Sequence, residues 1–177
     1  MIKQMEPMVA ELRQEAATTR RVLERVPADK LEWRPHPHSM SAGQLAMHIA
    51  LVPGSITKLA QLDQFDVSAA NFNPPQPGSL EEILTTLDAS IADAEAYMDG
   101  LSEAAAMAKW SLNAGARNIF TMPRVALLRT IMLNHWYHHR GQLSVYLRLL
   151  EVPVPVIYGR SYDEDPFLHD LEIGTPA

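Results

Sequence analysis

Cysteine is absent from this chain of 177 residues. A disulfide framework, a thiolate metal site and a cysteine nucleophile are therefore excluded, and any thiol chemistry would need a thiol that a ligand brings in. Long apolar runs are absent too, because no stretch approaches the roughly 18 residues of a membrane span. Residues 1–6 lack the apolar segment of a signal peptide. We therefore expect a cytoplasmic protein with no membrane partner.

Positive charge is scarce, with 15 Lys and Arg against 21 Asp and Glu and a net charge of −6. A nucleic-acid partner usually needs a basic face that neutralises phosphates, so we expect no nucleic-acid partner. The hydrophobic fraction of 47% is ordinary for a globular protein, and 177 residues suffice for one domain with its own core. We expect that domain over residues 1–165 and a C-terminal tail over 166–177.

Apolar residues that alternate at spacings of three and four predict four amphipathic helices. The first covers about residues 3–26. The second begins at a capping box formed by Ser41 and Gln44 and continues, after a kink at Pro53, to about residue 62. Each of these helices has one apolar face and needs a partner to cover it.

The third helix is predicted to begin at a second capping box at Ser79 and to end near Gly100. Thr121 is predicted to cap the fourth helix, which Pro153 closes. Between the helices, residues 66–78 read as a long loop, and residues 102–120 have no clear periodicity. Four such helices predict an all-α fold, a four-helix bundle with a long crossover connection. The predicted core stripe of the fourth helix comprises Val125, Leu128, Met132, His135, His139, Gln142, Tyr146 and Leu149.

Three of the seven histidines lie within five consecutive positions of the fourth helix. Residues four apart on an α-helix lie about 40° apart on one face, so His135 and His139 can bind one metal ion together. His138 lies roughly 100° from His139, and we expect it to flank the pair at the interhelical boundary, with a role as metal ligand as the alternative. His48 lies in the middle of the apolar stripe of the second helix, facing the same interior. It is the candidate for a third ligand.

Imidazole is a good ligand for a divalent ion such as Zn, Ni or Fe, and three histidines leave a position open for water or substrate. The alternative is that each histidine is a boundary residue satisfied by an ordinary hydrogen bond. Burying three unpaired imidazoles would cost about 1–3 kcal/mol for each polar group left unmet. We therefore predict that His48, His135 and His139 form a metal site.

Two residues beside this pair are candidates for cofactor or substrate binding. Arg140 and Gln142 could bind an anionic substrate or orient a metal ligand, whereas the alternative for the arginine is ordinary solvation. We expect His36, His38 and His169 to lie on the surface, with one of the first two at the pocket mouth as the alternative. The sequence shows no nucleophile elbow and no phosphate loop, and it assigns no catalytic residue.

Three segments of the chain form a recognisable set: Ser-Ala-Gly-Gln-Leu-Ala-Met-His-Ile-Ala over 41–50, the histidine-rich run over 134–147, and Val-Pro-Val-Pro-Val-Ile-Tyr-Gly over 152–159. With them the chain resembles the DinB-like superfamily from near the N-terminus to about residue 165. The resemblance implies a four-helix bundle, commonly a homodimer, with a divalent metal held by His48, His135 and His139. It also implies a small-molecule substrate, since relatives include transferases and isomerases that use low-molecular-weight thiols such as bacillithiol, mycothiol or glutathione.

Three functions stay open at the level of the sequence. The first is a metal-dependent S-transferase or isomerase, in which the ion lowers the pKa of a cosubstrate thiol. The second is a hydrolase that uses metal-activated water. The third is a metal-binding bundle without turnover, which the scarcity of Asp and Glu on the inward stripes favours.

Overall fold

The structure, a computed structural model, describes residues 5–167 apart from the side chain of Ala69. Most of these residues are helical, but a small three-stranded sheet is present, so the all-α prediction needs correction. The predicted tail over 166–177 lies outside the described residues from 168 onward, as does His169. Within the described range the helices are α1 (Glu6–Leu23), α2 (Ala42–Ala60), α3 (Leu80–Asp99), the short α4 (Glu103–Met107), α5 (Arg124–Leu127) and α6 (His135–Leu149), with a π-helical stretch (Leu128–Asn134) joining the last two.

Side-chain caps begin two of the long helices at the predicted residues. The Ser41 hydroxyl accepts the Gln44 amide at 3.1 Å, and the Gln44 side chain accepts the Ser41 amide at 3.0 Å, which completes the capping box of α2. Ser79 likewise accepts the Glu82 amide at 3.1 Å. The Glu82 carboxylate, however, takes the Gly78 amide at 2.8 Å, so the second box is only half formed.

The long helical segments pack around one core, with α3 against both α1 and α2, and α6 against both α2 and α1. The helices α2 and α3 run parallel, because Gly54 bonds to Ser90 and the carbonyl of Ala60 bonds further along to Tyr97. Parallel neighbours need a connection that returns along the length of the helices, and residues 61–79 make it. Among the described residues, no helix is both long and apolar enough to cross a membrane.

The sheet forms where the sequence shows no helical periodicity. Its strands are β1 (Gln64–Asp66), β2 (Lys109–Ala114) and β3 (Arg117–Pro123), with β1 parallel and β3 antiparallel to β2. Gly115, at φ +58°, makes the tight turn between β2 and β3. The prediction that Thr121 caps a helix is wrong, because Thr121 pairs with Ser111 in the sheet and the helix begins after Pro123.

The π-helical stretch changes which side chains of the fourth segment face the core. Its turns hold an extra residue, because their hydrogen bonds run from residue i to i+5. The buried residues of α6 are therefore Trp136, Arg140, Leu143 and Leu147. Each lies one position after a residue of the predicted stripe. The predicted stripe is wrong from residue 135 onward. The histidines consequently lie at the edge of the core, half-buried.

Candidate metal centre

The three predicted ligands meet between α2 and α6. The Nε2 atom of His135 lies 2.7 Å from Nε2 of His139 and 3.4 Å from Nε2 of His48. One nitrogen from each ring lies within 4.8 Å of the others, so the three could hold a metal ion. Metal–nitrogen bonds of about 2.0–2.1 Å at tetrahedral angles place ligand nitrogens roughly 3.3 Å apart. The longer contact fits this spacing, and the shorter one needs only a small rotation of either ring.

Gln142 sets the orientation of one of these rings. Its side-chain oxygen lies 2.7 Å from Nδ1 of His139, one turn earlier on α6. Because an amide oxygen accepts, Nδ1 carries the proton and Nε2 keeps a lone pair directed at the other two histidines. Metal-binding histidines commonly have such a partner on their second nitrogen. The structure therefore places Gln142 where it can orient a ligand.

The ring of His135 has a buried nitrogen with no partner. Its Nδ1 makes no hydrogen bond of ordinary geometry. Burial lowers the pKa of this imidazole, and the carbonyl of Ile131, one turn earlier, partly opposes that shift. A proton on Nδ1 that faces this carbonyl would leave Nε2 of His135 free to bind an ion.

The environment favours the neutral form of all three imidazoles. Burial, together with the neighbouring His139 and His135, lowers the pKa of His48 to about 4. Burial is also the main cause that lowers the pKa of His135 and that of His139, although the Gln142 bond opposes it at His139. Only neutral imidazole has the lone pair that a metal ion needs. The cluster is therefore ready to bind a cation at neutral pH.

The position of the cluster allows access from solvent. All three histidines are half-buried, not enclosed in the middle of the core as the predicted stripe implies. Structural zinc sites usually have four protein ligands and are closed, whereas catalytic sites keep a position open. Three ligands at an open edge of the core fit the second kind of site.

The remaining histidines of the described chain lie outside this cluster. His138 is exposed, with its ring centroid 5.0 Å from that of His139, so it flanks the pair. His36 and His38 are exposed on the loop before α2, where the His38 amide donates to Nδ1 of His36 at 3.2 Å. The candidate set is therefore His48, His135 and His139.

Arg140 lies on another side of α6. Its guanidinium is 1% exposed and contacts the Glu15 carboxylate of α1 at 2.6 Å, Thr19 Oγ1 at 3.1 Å and the Tyr158 hydroxyl. The structure thus does not bring Arg140 to the histidines, because the shifted stripe turns it into the core. The sequence signal for this pair is Glu15 itself, an acid next to Ala16, which belongs to the apolar repeat of the first helix together with Leu12.

Comparison with known proteins places the chain in a family and shows solved structures with a similar fold. A family model described as the DinB family matches residues 1–167. A DinB-like protein from Bacillus cereus ATCC 10987 is similar with a TM-score of 0.69 and 22% identity, over 89% of this chain and 100% of that chain. A DinB-like protein from Bacillus subtilis is similar with a TM-score of 0.67 and 20% identity, over 86% of this chain and 97% of that chain. No curated protein matches. At these identities, likeness to the solved structures shows the fold alone.

Proposed function

The chain belongs to the DinB family, as its motifs predict, and we propose that it is a divalent-metal-dependent enzyme whose ion is bound by His48, His135 and His139. The observation that carries the proposal is the convergence of three Nε2 atoms at an edge of the core that solvent reaches. Imidazole ligands suit Zn, Ni or Fe. The four long helices would then act as a four-helix bundle that holds this site.

Held by His48, His135 and His139, a divalent ion would lower the pKa of a thiol or water at its open position, and would so supply a thiolate or hydroxide at neutral pH. The chain has no cysteine, so the thiol would come from a low-molecular-weight cosubstrate. We favour thiol-dependent S-transfer or isomerisation of a small molecule, as the family resemblance implies. Hydrolysis by activated water is the alternative within the same geometry.

The protein's own part in this chemistry is to position the three imidazoles and to keep them neutral. The helices α2 and α6 hold the imidazoles on opposite sides of one point, and Gln142 keeps the proton of His139 on Nδ1. Partial burial lowers the pKa of each imidazole, so protons do not compete for the lone pairs at neutral pH.

A second candidate function is metal binding without turnover. In the described part of the chain, the cluster that could hold an ion contains three histidines and no carboxylate. General acid–base catalysis needs a group within hydrogen-bond reach of the reacting atoms. Because the cluster itself contains no general acid or base, its composition favours metal binding without turnover, unless the reaction of a cosubstrate thiol needs no such group.

Cobalt substitution separates the two candidates. An open catalytic site accepts a small thiol, so we expect a thiolate-to-cobalt charge-transfer band on titration. Stripping the ion should lower the melting temperature only moderately in circular dichroism, because the apolar core forms without the ligands. A closed structural site behaves differently, since the binding free energy of the ion then becomes folding free energy. A collapsed apoprotein with no spectral response to thiols or azide would overturn the enzyme proposal.

We also propose that the protein is a cytoplasmic homodimer. Apolar residues of the fourth helix that lie off its predicted stripe indicate a second partner, namely Leu127, Ile131, Leu147 and Leu150. Of these, Leu127 and Leu147 are both 1% exposed and belong to the core. Val145 and Leu149 replace them as the apolar residues of α6 that lie exposed, at 57% and 56%. Helices that are apolar on more than one side usually have more than one partner. Light scattering that gives a monomer mass across micromolar concentrations would contradict the dimer.

A further inference from the structure

The proline inside α2 frees a backbone carbonyl. Pro53 has no N–H, so the carbonyl of Ile49, four residues earlier, cannot receive its ordinary helical bond. The helix nevertheless continues from Ala42 to Ala60. The indole Nε1–H of Trp136 donates to this carbonyl at 2.8 Å in the buried core. The helix therefore has no break at Pro53, and the carbonyl that the proline frees is the point at which α6 attaches to α2.

This bond joins the immediate neighbours of two proposed ligands. Ile49 follows His48, and Trp136 follows His135. The acceptor is part of the backbone of α2, and the donor is a ring that is fully buried, at 0% exposure. Neither group can move without moving the adjacent residue. The bond therefore sets how the two helices lie against each other at the level where Nε2 of His48 and Nε2 of His135 are 3.4 Å apart.

The part of α2 around Pro53 is also held by α3. The Gly54 amide donates to the Ser90 hydroxyl at 2.7 Å, and that hydroxyl donates to the carbonyl of Leu51 at 3.3 Å. A Cβ atom at Gly54 would lie 3.0 Å from Cα of Ser90, so the two backbones are in close contact. Because α2 is held against α3 in this way, the bond from Trp136 determines the position of α6 relative to the α2–α3 pair.

We propose that Trp136 is a positioning residue of the metal centre, which uses the carbonyl freed by Pro53 to set the spacing of His48 and His135. It contacts no ion and acts through the two histidines. The inference rests on the proposed function, since it requires that these histidines bind a metal. It goes beyond that function by assigning metal affinity to a hydrogen bond outside the ligand set.

The chain offers a matched control for this bond. Trp110 on β2 is also buried, at 2% exposure, and its indole also donates to a carbonyl of α2, that of Leu59 at 3.0 Å. This acceptor is eleven residues from His48, roughly 16 Å along the helix at about 1.5 Å per residue. Trp136→Phe and Trp110→Phe therefore each remove one indole bond to α2, but only the first removes it beside the histidines.

The measurement is cobalt affinity, obtained by competition with a chromophoric chelator, together with the melting temperature of each apoprotein. We expect both variants to melt at lower temperature, and Trp136→Phe to lose more, because its bond is buried and that of Trp110 is only partly buried. Trp136→Phe should weaken cobalt binding about 10- to 100-fold, the range found when an outer partner of a metal ligand is lost, and should alter the cobalt absorption spectrum. Trp110→Phe should keep the wild-type affinity and spectrum. Equal affinities in the two variants would overturn the inference.

Pro53→Ala separates positioning from stability. Alanine restores an N–H that can bond to the Ile49 carbonyl, so Pro53→Ala in the Trp136→Phe background should recover melting temperature without recovering cobalt affinity. Pro53→Ala alone adds a second donor to this carbonyl, which weakens its bond to Trp136, so it should weaken cobalt binding to a smaller degree. This variant keeps the test open if Trp136→Phe does not fold. Recovery of affinity together with stability would overturn the inference. A wild-type chain that binds no cobalt would instead overturn the proposed function.

Discussion

The buried ion pair between Glu15 and Arg140 gives the largest stability effect that we expect from a polar substitution. The side chains of Arg140 and Glu15 are 1% and 10% exposed, and Nη1 lies 2.6 Å from the carboxylate. Removing one partner of a buried pair typically costs about 3–5 kcal/mol, because the other charge is left uncompensated. Glu15→Gln should therefore destabilise the protein strongly.

The surroundings place the expected cost at the low end of that range. In Glu15→Gln the guanidinium keeps its bond to Thr19 and its position over the rings of Tyr137 and Tyr158, at 5.2 and 5.0 Å. Cation–π contacts of this kind contribute about 0.5–2 kcal/mol. We expect a loss of about 3 kcal/mol in the free energy of unfolding, out of a total of roughly 5–15 kcal/mol for a domain.

Arg140→Met should cost about the same, about 3 kcal/mol, because it leaves the Glu15 carboxylate buried without its cation. Glu15 then still accepts the Tyr158 hydroxyl, at 3.1 Å. The double variant of Glu15→Gln with Arg140→Met should cost less than either single variant, since it leaves no buried charge without a partner. Urea unfolding followed by far-UV circular dichroism measures all three. Losses below about 1 kcal/mol in both single variants would refute the argument from burial. An Arg140→Met variant that keeps full stability but binds a small-molecule anion more weakly would also refute it, and would indicate a binding role for Arg140.

Three further substitutions test local features of the fold. Glu151, at φ +59° after α6, has a left-handed conformation that costs a non-glycine residue energy, so Glu151→Gly should stabilise by about 0.5–1 kcal/mol in urea unfolding. Gly54→Ala would press a Cβ atom against the backbone of Ser90 and should lose about 1–3 kcal/mol in the same assay. The Arg129 bond holds the pKa of Glu11 below its usual range, so the charge of Glu11 adds stability that is complete above the usual pKa and is lost as pH falls through the lowered value. Glu11→Gln should therefore be less stable at neutral pH and lose less stability on acidification, and an unchanged acid slope would contradict this.

The predicted metal ligands depend on short-range geometry, which the sequence contains. His135 and His139 are one helical turn apart, and this spacing survives because the segment from residue 135 onward is an ordinary α-helix. His48 follows from the apolar stripe of a helix whose start is marked by the capping box at Ser41. Local patterns of this kind need no knowledge of the partners across the core.

The errors arise where one segment depends on another. The π-helical stretch over 128–134 shifts the core face by a residue, which exposes one side of the histidine cluster and buries Arg140. No residue type marks such a stretch in a sequence. The sheet escapes prediction for a similar reason, because β1 pairs with β2 across more than forty residues of chain. Trp136 looks like ordinary core packing until the carbonyl that Pro53 frees is seen beside it.

The most direct test of the account is the metal content of protein prepared without a histidine tag or added metal, for the wild type, His139→Ala and His138→Ala. The two substituted residues are adjacent and both are histidines, but only His139 contributes a nitrogen to the cluster, and His138 is exposed. We expect a stoichiometric divalent ion in the wild type and in His138→Ala, and its loss in His139→Ala. Full occupancy in His139→Ala, or loss in His138→Ala alone, would contradict the proposed ligand set.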